Sequence, residues 1–274
     1  MNRSKMVLGV IAAVSALAFA GAADAKTAEE IEAAGSPEQK GQAVAMELAA
    51  RNTGYKDLGG DVEMTLKDAS GGEAKRRFNL KVLEKTDADS GDRSLIVFDS
   101  PADVKGTAVL SHAKAGDEDE QWLYLPSARR VKRISSSNRT GAFVGSEFSF
   151  EDLTGNDGRK YSWKLAGRAA CGASQCLTLE ATPKDPQSAY SKRVLHVDAQ
   201  EFRIQSIEFF DRKGAKLKTL TYDAYKKMNG RFWRAQTWSM QNHQSGKSTV
   251  VSFTSMRLGN GYSASDFSTG KLGG

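Results

Sequence analysis

The stretch 61-DVEMTLKDASGGEAKRRFNLKV-82 decides the class of fold, because its apolar residues recur at every second position. Val62, Met64 and Leu66 alternate with polar residues as far as the turn signal 70-SGG-72, and the alternation resumes after it. A period of two is typical of a β-strand with one buried face. We therefore predict a hairpin whose apolar face, with Val62 and Met64, lines the interior.

The same alternation continues to the end of the chain, with turn signals between the apolar segments. Further strands are predicted near residues 93–99, 106–113, 119–125, 129–134, 160–167, 176–182, 190–198, 202–211, 216–224, 231–240 and 247–257. No alternating strand and helix pattern and no proline-rich linker interrupts them. The pattern predicts a mainly β fold, a large curved antiparallel sheet with one helix over its apolar concave side.

The N-terminal residues 1–25 have the features of a cleaved signal peptide. Arg3 and Lys5 precede an uncharged apolar run over residues 7–19, and the small-x-small sequence 23-ADA-25 follows. The run is shorter than the roughly 20 residues that a membrane span needs. We expect Lys26 to be the mature N-terminus and the protein to be periplasmic in a Gram-negative bacterium.

The mature residues 26–274 are expected to form a single domain that begins with a helix. Ser36 is a suitable N-cap, Pro37 suits the first turn, and residues 38–51 carry apolar residues at helical spacing. The 39% apolar content suffices for a sizeable core.

The formal charge of the 274 residues is +6. Removing Arg3, Lys5 and Asp24 with the signal peptide takes this +6 to +5. Nucleic acid is not an expected partner in the periplasm. A basic surface there favours anionic lipid, phosphate headgroups or an acidic protein face.

Cys171 and Cys176 enclose four residues. In an oxidising compartment this spacing indicates a local disulfide across a turn. A redox-active pair is the alternative, but the spacing differs from C-x-x-C.

Candidate catalytic and metal-binding residues are scattered. His112, His196 and His243 lie on different predicted strands without metal-ligand spacing, and Ser146 lacks the second glycine of a nucleophile elbow. No phosphate-binding glycine loop is present. We predict no metal site, no cofactor and no enzymatic activity.

The stretch 121-QWLYLPSARRVKRISSSNRTGAFVGSEFSFEDL-153 carries the functional signal. Trp122 and Tyr124 face one side of a strand and Leu123 and Leu125 the other, so both faces should be covered. Four cations follow the turn: Arg129, Arg130, Lys132 and Arg133. They form either a solvated hairpin paired with the acidic run 117–120 or a docking surface for phosphate headgroups or an acidic partner.

Residues 135–153 then bring Phe143, Phe148 and Phe150 among glycines and serines. Aromatic residues on a pliable segment form either a plug packed over the core or a lid over a ligand. We expect the three phenylalanines, with Trp122 or Tyr124, to line or cap an apolar cavity.

The consecutive motifs W-L-Y-L-P, R-R-V-K-R-I, S-S-S-N and G-S-E-F-S-F-E-D-L resemble the outer membrane lipoprotein-sorting protein family of the LolA-like superfamily. The resemblance is specific over about residues 105–155 and general over nearly all of 30–270. It implies an unclosed antiparallel barrel, with helices across its mouth, that encloses an apolar cavity for acyl chains and performs no catalysis.

Three functions are compatible with these patterns. The first is a periplasmic carrier of lipoprotein acyl chains or another lipid, served by an inner-membrane transporter and an outer-membrane acceptor. The second is a sensor or partner-binding subunit of a lipid-export complex, with its cavity filled by its own side chains. The third, a hydrolase on a β scaffold, requires a convergent polar triad.

Overall fold

The computed structural model describes residues 25–85, 90–154, 158–172 and 174–273. The predicted signal peptide, except Ala25, lies outside the described residues. Two helices come first, α1 (Ala28–Glu32) and α2 (Pro37–Asn52). The strands are β1 (Asp57–Lys67), β2 (Glu73–Leu83), β3 (Ser90–Ser100), β4 (Ala108–Lys114), β5 (Glu120–Leu125), β6 (Arg130–Ile134), β7 (Tyr161–Cys171), β8 (Ser174–Pro183), β9 (Tyr190–Asp198), β10 (Ile204–Asp211), β11 (Lys216–Met228), β12 (Phe232–Asn242), β13 (Ser248–Phe253) and β14 (Arg257–Leu258).

In the described part of the chain the strands form one antiparallel sheet. Their order is β6-β5-β4-β3-β2-β1-β13-β12-β11-β10-β9-β8-β7, and β14 pairs with β1. The predicted hairpin is β1–β2, in which Val62 lies opposite Phe78. The two end strands, β6 and β7, do not pair with each other in the described ranges, so the predicted unclosed barrel is confirmed.

The sheet has an inner face, defined here as the face that carries Val62 and Met64, and an outer face. Strand alternation places the apolar residues of most strands on the inner face, where they form the main hydrophobic core. Val62, Met64, Phe78 and Phe98 are buried members of this core. The core extends across the sheet as far as Leu165 on β7.

Helix α2 covers the inner face near the β7 edge. The predicted start is confirmed, since the Ser36 hydroxyl accepts a hydrogen bond from the backbone N–H of Gln39 and Pro37 occupies the first turn. A Cβ on Gly41 would come within 2.6 Å of the Lys164 backbone, so glycine allows the helix to approach β7 closely. Val44 and Leu48 then reach the main core.

No helix of the described residues has the length and apolar character that crossing a bilayer requires.

A second hydrophobic cluster lies on the outer face of β3, β4 and β5. The C-terminal residues Phe267 and Leu272 pack there against Leu95 and Leu110. The His112 Nε2 atom lies 2.7 Å from the Phe267 carbonyl oxygen and attaches this C-terminal segment to β4. The sequence pattern did not predict this cover.

The predicted disulfide joins Cys171 at the end of β7 to Cys176 on β8, and it is confirmed. Their Cα atoms are 5.7 Å apart, within the normal range. The bond therefore crosslinks the turn at one edge of the sheet.

Candidate functional site

The plug segment, defined as residues 139–153, lies over the inner face of the sheet. It folds back on itself at Val144 and Gly145, which have φ angles of 47° and 75°. The Phe143 N–H donates to the Phe148 carbonyl at 2.7 Å, and the Phe150 N–H donates to the Gly141 carbonyl at 3.2 Å. The segment is therefore a compact unit with its own backbone hydrogen bonds.

The three predicted phenylalanines of the plug segment lie together with the predicted wall residues. Phe143 and Phe148 are only 2% and 5% exposed and belong to the same core as Val62 and Met64, while Phe150 packs against that core. The Phe143 ring centroid lies 5.7 Å from that of Phe98 on β3. The plug segment thus fills the space above the sheet with its own aromatic side chains.

Trp122 and Tyr124 do not share this space, which corrects the expectation that they would. Both pack in the outer-face cluster, where the ring centroids of Trp122 and His112 are 5.0 Å apart. Leu123 instead packs against the main core. Both faces of β5 are therefore packed at Leu123, Trp122 and Tyr124, but Leu125 at the end of the strand is exposed, and the C-terminal segment covers the aromatic face.

A buried ion pair holds the end of the plug segment to the sheet. The Lys218 Nζ atom on β11 lies 2.6 Å from Asp152 Oδ2, and these side chains are 5% and 3% exposed. The Tyr190 hydroxyl donates to Asp152 Oδ1 at 2.8 Å. Burial alone would raise the pKa of Asp152, but the positive charges of Lys218 and Arg193 and the hydrogen bonds to the carboxylate hold that pKa below its usual value.

A second ion pair lies beside the first. Arg193 on β9 places its Nη2 atom 3.4 Å from Glu151 Oε1, and the Ser188 hydroxyl donates to the same oxygen at 2.6 Å. The guanidinium lies about 5 Å from the ring centroids of Tyr190 and Phe209, so its charge also meets aromatic faces. Its buried Nε–H finds no hydrogen-bond partner among the residues that the structure describes.

The start of the plug segment is also held by ion pairs. The Arg139 Nη2 atom lies 2.9 Å from Asp185 Oδ2 and 3.2 Å from Glu118 Oε1. Ion pairs therefore fix both ends of the plug segment, and the phenylalanines between them pack against the core.

The contacts between the plug segment and the strands involve side chains. Gln121 donates to the Phe150 carbonyl at 3.0 Å, Thr249 accepts from the Glu147 N–H at 3.0 Å, and Arg76 donates to the Val144 carbonyl. Among the described residues, no backbone-to-backbone hydrogen bond of the plug segment reaches a strand. The attachment of the segment to the sheet therefore includes no ladder of strand hydrogen bonds among the described residues.

Three aromatic residues on adjacent strands of the inner face are only half-buried: Tyr222, Trp238 and Phe253. The ring centroids of Tyr222 and Trp238 are 5.8 Å apart, and those of Trp238 and Phe253 are 5.2 Å apart. The sequence interpretation missed this aromatic row, because each member comes from a different strand. The alternation in β11, β12 and β13 was the available signal.

The four predicted docking cations lie at the β6 end of the sheet. Arg130 and Lys132 are opposite Leu125 and Leu123, so they share the inner face, whereas Arg133 is opposite Trp122 on the outer face. Arg129 is exposed in the preceding turn. Of the acidic run proposed as counterions, Glu120 pairs with Arg133 at 3.1 Å, while Glu118 pairs with Arg139 in the plug segment.

Two surface pockets, of about 270 and 410 Å³, are lined mostly by charged and polar residues and include no member of the aromatic row. The first includes Lys67 and Glu73 at the tip of β1–β2, and the second includes Arg139 and Asp185. Neither is the apolar cavity that the sequence predicted.

Ser146, the serine considered as a nucleophile, has a structural role. The Ser146 hydroxyl donates to the Phe143 carbonyl at 2.7 Å and accepts from the Phe148 N–H at 3.2 Å, so it stabilises the turn of the plug segment. The described residues contain no cluster of three or more side chains suited to hold a metal ion.

Comparison with known proteins places these features in a family. A family model described as an uncharacterized protein matches residues 90–273. No curated protein matches the chain significantly.

Solved structures match over most of the chain. An outer membrane lipoprotein-sorting protein domain from Vibrio parahaemolyticus is 41% identical, with a TM-score of 0.83, over 86% of this chain and 99% of that one. A DUF1329 family protein from Desulfovibrio piger is 28% identical, with a TM-score of 0.82, over 87% and 100%. A LolA superfamily protein from Nitrosomonas europaea is 20% identical, with a TM-score of 0.67, over 87% and 100%, which shows a shared fold.

Proposed function

Because the chain belongs to the outer membrane lipoprotein-sorting protein family of the LolA-like superfamily, we propose that it is a non-enzymatic carrier of acyl chains. The chains come from a lipoprotein or from another lipid, and they bind against the inner face of the sheet. The single observation that carries this proposal is the plug segment, which covers an apolar face through side-chain contacts alone.

The acyl chain takes the place of the plug phenylalanines. Displacement uncovers Val62, Met64 and Phe98 and joins this surface to the half-buried aromatic row. Tyr222, Trp238 and Phe253 are already partly accessible and provide the first apolar contact for an incoming chain.

The free-energy cost of displacing the plug phenylalanines is similar in size to the gain from burying an acyl chain. Removing Phe143, Phe148 and Phe150 from apolar surroundings costs on the order of 1.5–3 kcal/mol for each side chain. A buried acyl chain contributes about 0.8 kcal/mol per CH₂ group, or roughly 12 kcal/mol for a chain of sixteen carbons. One chain can therefore offset the release of all three rings and contribute toward separating the buried ion pairs.

The carrier works between two membranes. We infer that residues 1–25 direct export to the periplasm, that residues 26–274 act as one domain, and that the cargo passes from an inner-membrane transporter to an outer-membrane acceptor. The cations Arg129, Arg130, Lys132 and Arg133 form the docking surface for these steps.

The proposal is tested by mass spectrometry of lipid extracted from the purified protein and by binding of a fluorescent fatty-acyl probe. We expect co-purified lipid, and quenching of tryptophan fluorescence by the probe that is lost in Trp238→Phe and kept in Trp122→Phe. Absence of both lipid and probe binding would reject the carrier function.

A second candidate is a sensor or partner-binding subunit without cargo. It is favoured by the close burial of Phe143 and Phe148, which already fill the inner face. In that case the probe does not bind and removal of the plug phenylalanines only destabilises the fold.

A further inference from the structure

The two end strands of the sheet differ in how they are covered. Helix α2 packs closely on β7 at Lys164, and Arg168 on β7 forms ion pairs with Glu29 and Glu32 of α1, at 2.9 and 2.5 Å. In the part of the chain that the structure describes, β6 pairs with β5 and with no other strand. Every second residue of β6 therefore points its backbone N–H and C=O groups away from the sheet.

The side chains of β6 leave positive charge unbalanced. Arg133 has Glu120 as its partner, but Arg130 and Lys132 form no ion pair with any described residue. The nearby acid Asp119 is already paired with Lys160. With respect to the described residues, the open edge thus carries unpaired cations beside unpaired backbone groups.

Apolar side chains accompany these cations. Val131 on β6 is 41% exposed and Leu125 on β5 is 38% exposed, whereas most large apolar side chains of the described residues are covered. Leu125 lies on the inner face opposite Arg130, and Val131 lies on the outer face opposite Tyr124. A strand added beside β6 would therefore lie next to Arg130 and Lys132 on the inner face and next to Val131 on the outer face.

The geometry points to an extended acidic segment of a partner protein as the occupant of this edge, added as a further antiparallel or parallel strand. Acidic side chains would pair with Arg130 and Lys132 while the backbone bonds to β6. A second copy of β6 is disfavoured, because it would set cations opposite cations. Lipid headgroups would satisfy the cations but not the row of backbone groups.

This inference rests on the proposed role of β6 as a docking surface and does not depend on the lipid cargo. Binding of the fatty-acyl probe is therefore measured on the same samples. A variant that loses the peptide and retains the probe separates the docking role from the carrier function.

The experiment uses the mature protein and a fluorescent peptide of alternating glutamate and valine. Two further peptides have the same sequence but carry N-methyl groups on alternate amides. One is methylated at the glutamates and the other at the valines, so each lacks the N–H donors on one edge of the strand. Arg130→Glu with Lys132→Glu is the test variant. Arg212→Glu with Lys213→Glu, exposed in the β10–β11 turn, makes the same change of charge elsewhere.

We expect the unmodified peptide to bind in low salt and one N-methylated register to bind at least about tenfold more weakly than the other. The test variant should lose at least about tenfold in affinity, and the control variant should change little. Equal binding of all three peptides would overturn strand addition. Absence of peptide binding, with Arg130-dependent binding to vesicles of equal parts phosphatidylcholine and phosphatidylglycerol, would overturn the peptide partner in favour of a membrane surface.

Discussion

Asp152 at the end of the plug segment and Lys218 on β11 form an ion pair of 2.6 Å in which both side chains are almost fully buried. The Lys218 ammonium also donates to the Glu147 carbonyl at 2.9 Å. One strand residue therefore holds two points of the plug segment.

Lys218→Met should destabilise the protein by about 3–5 kcal/mol, because it leaves the Asp152 carboxylate buried without its partner. Adding Asp152→Leu should recover much of this loss, since the unpaired charge is then gone. Urea unfolding measures both effects. Lys216→Met, which removes a more exposed pair with Glu208 at 2.6 Å, is the control and should cost far less. A similar cost for the two methionine variants would contradict the anchoring role.

The ion pair should also give the protein a defined response to acid. The folded pKa of Asp152 is below its unfolded value, so its ionised form contributes stability above the unfolded pKa of about 3.9. This contribution is lost as the pH falls through the folded pKa. The difference in unfolding free energy between wild type and Asp152→Asn should be constant near neutral pH and shrink below about pH 4. In a Lys218→Met background the same difference should be much smaller at every pH, and an unchanged difference would argue against coupling of the two residues.

Phe148→Ala should reduce retention of a bound acyl chain and cost less than the roughly 3–5 kcal/mol of a phenylalanine in a sealed core. The plug segment can shift to close the space, because no described backbone-to-backbone hydrogen bond fixes it to a strand. Phe78→Ala is the matched control, since Phe78 has the same 5% exposure but lies on β2. The measurements are urea unfolding and the dissociation rate of the fatty-acyl probe. If both variants lose roughly 3–5 kcal/mol of unfolding free energy and the probe dissociates at an unchanged rate, the plug segment is a permanent part of the core.

Val62→Trp should block uptake of the probe while preserving the sheet. Val62 is buried on the inner face beneath the plug segment, and an indole there occupies the space required by a chain. Overpacking should cost about 1–3 kcal/mol. Thr65→Trp on the opposite face of β1 is the control and should leave uptake intact. Equal uptake by the two variants, read by probe fluorescence with circular dichroism as the folding check, would place the binding surface elsewhere.

Thiol titration of the denatured, unreduced mature protein should detect no free thiol, because Cys171 and Cys176 are bonded. Replacing both with serine should cost about 2 kcal/mol or less, since the loop they close is short and its closure removes little entropy. Two reactive thiols would contradict the assignment.

The strands, the main helix and the disulfide were all predictable from the sequence. These depend on local chemistry: a period of two along each strand, a capped helix start at Ser36 and Pro37, and two cysteines around one turn. The sequence also indicated that the aromatic segment forms either a plug or a lid, but it did not distinguish between the two.

Which aromatic residues face each other depends on long-range packing and could not be predicted from the sequence. Alternation along β5 separates Trp122 from Leu123, but it does not say which side is the inner one, and the C-terminal residue Phe267 covers the Trp122 side. In the sequence, Arg193 and Lys218 cannot be distinguished from the other polar residues of their strands. They become buried anchors because Glu151 and Asp152, 42 and 66 residues away in sequence, meet them across the inner face. A local pattern reports which side chains share a face, whereas burial of a charge depends on a partner that only the fold brings near.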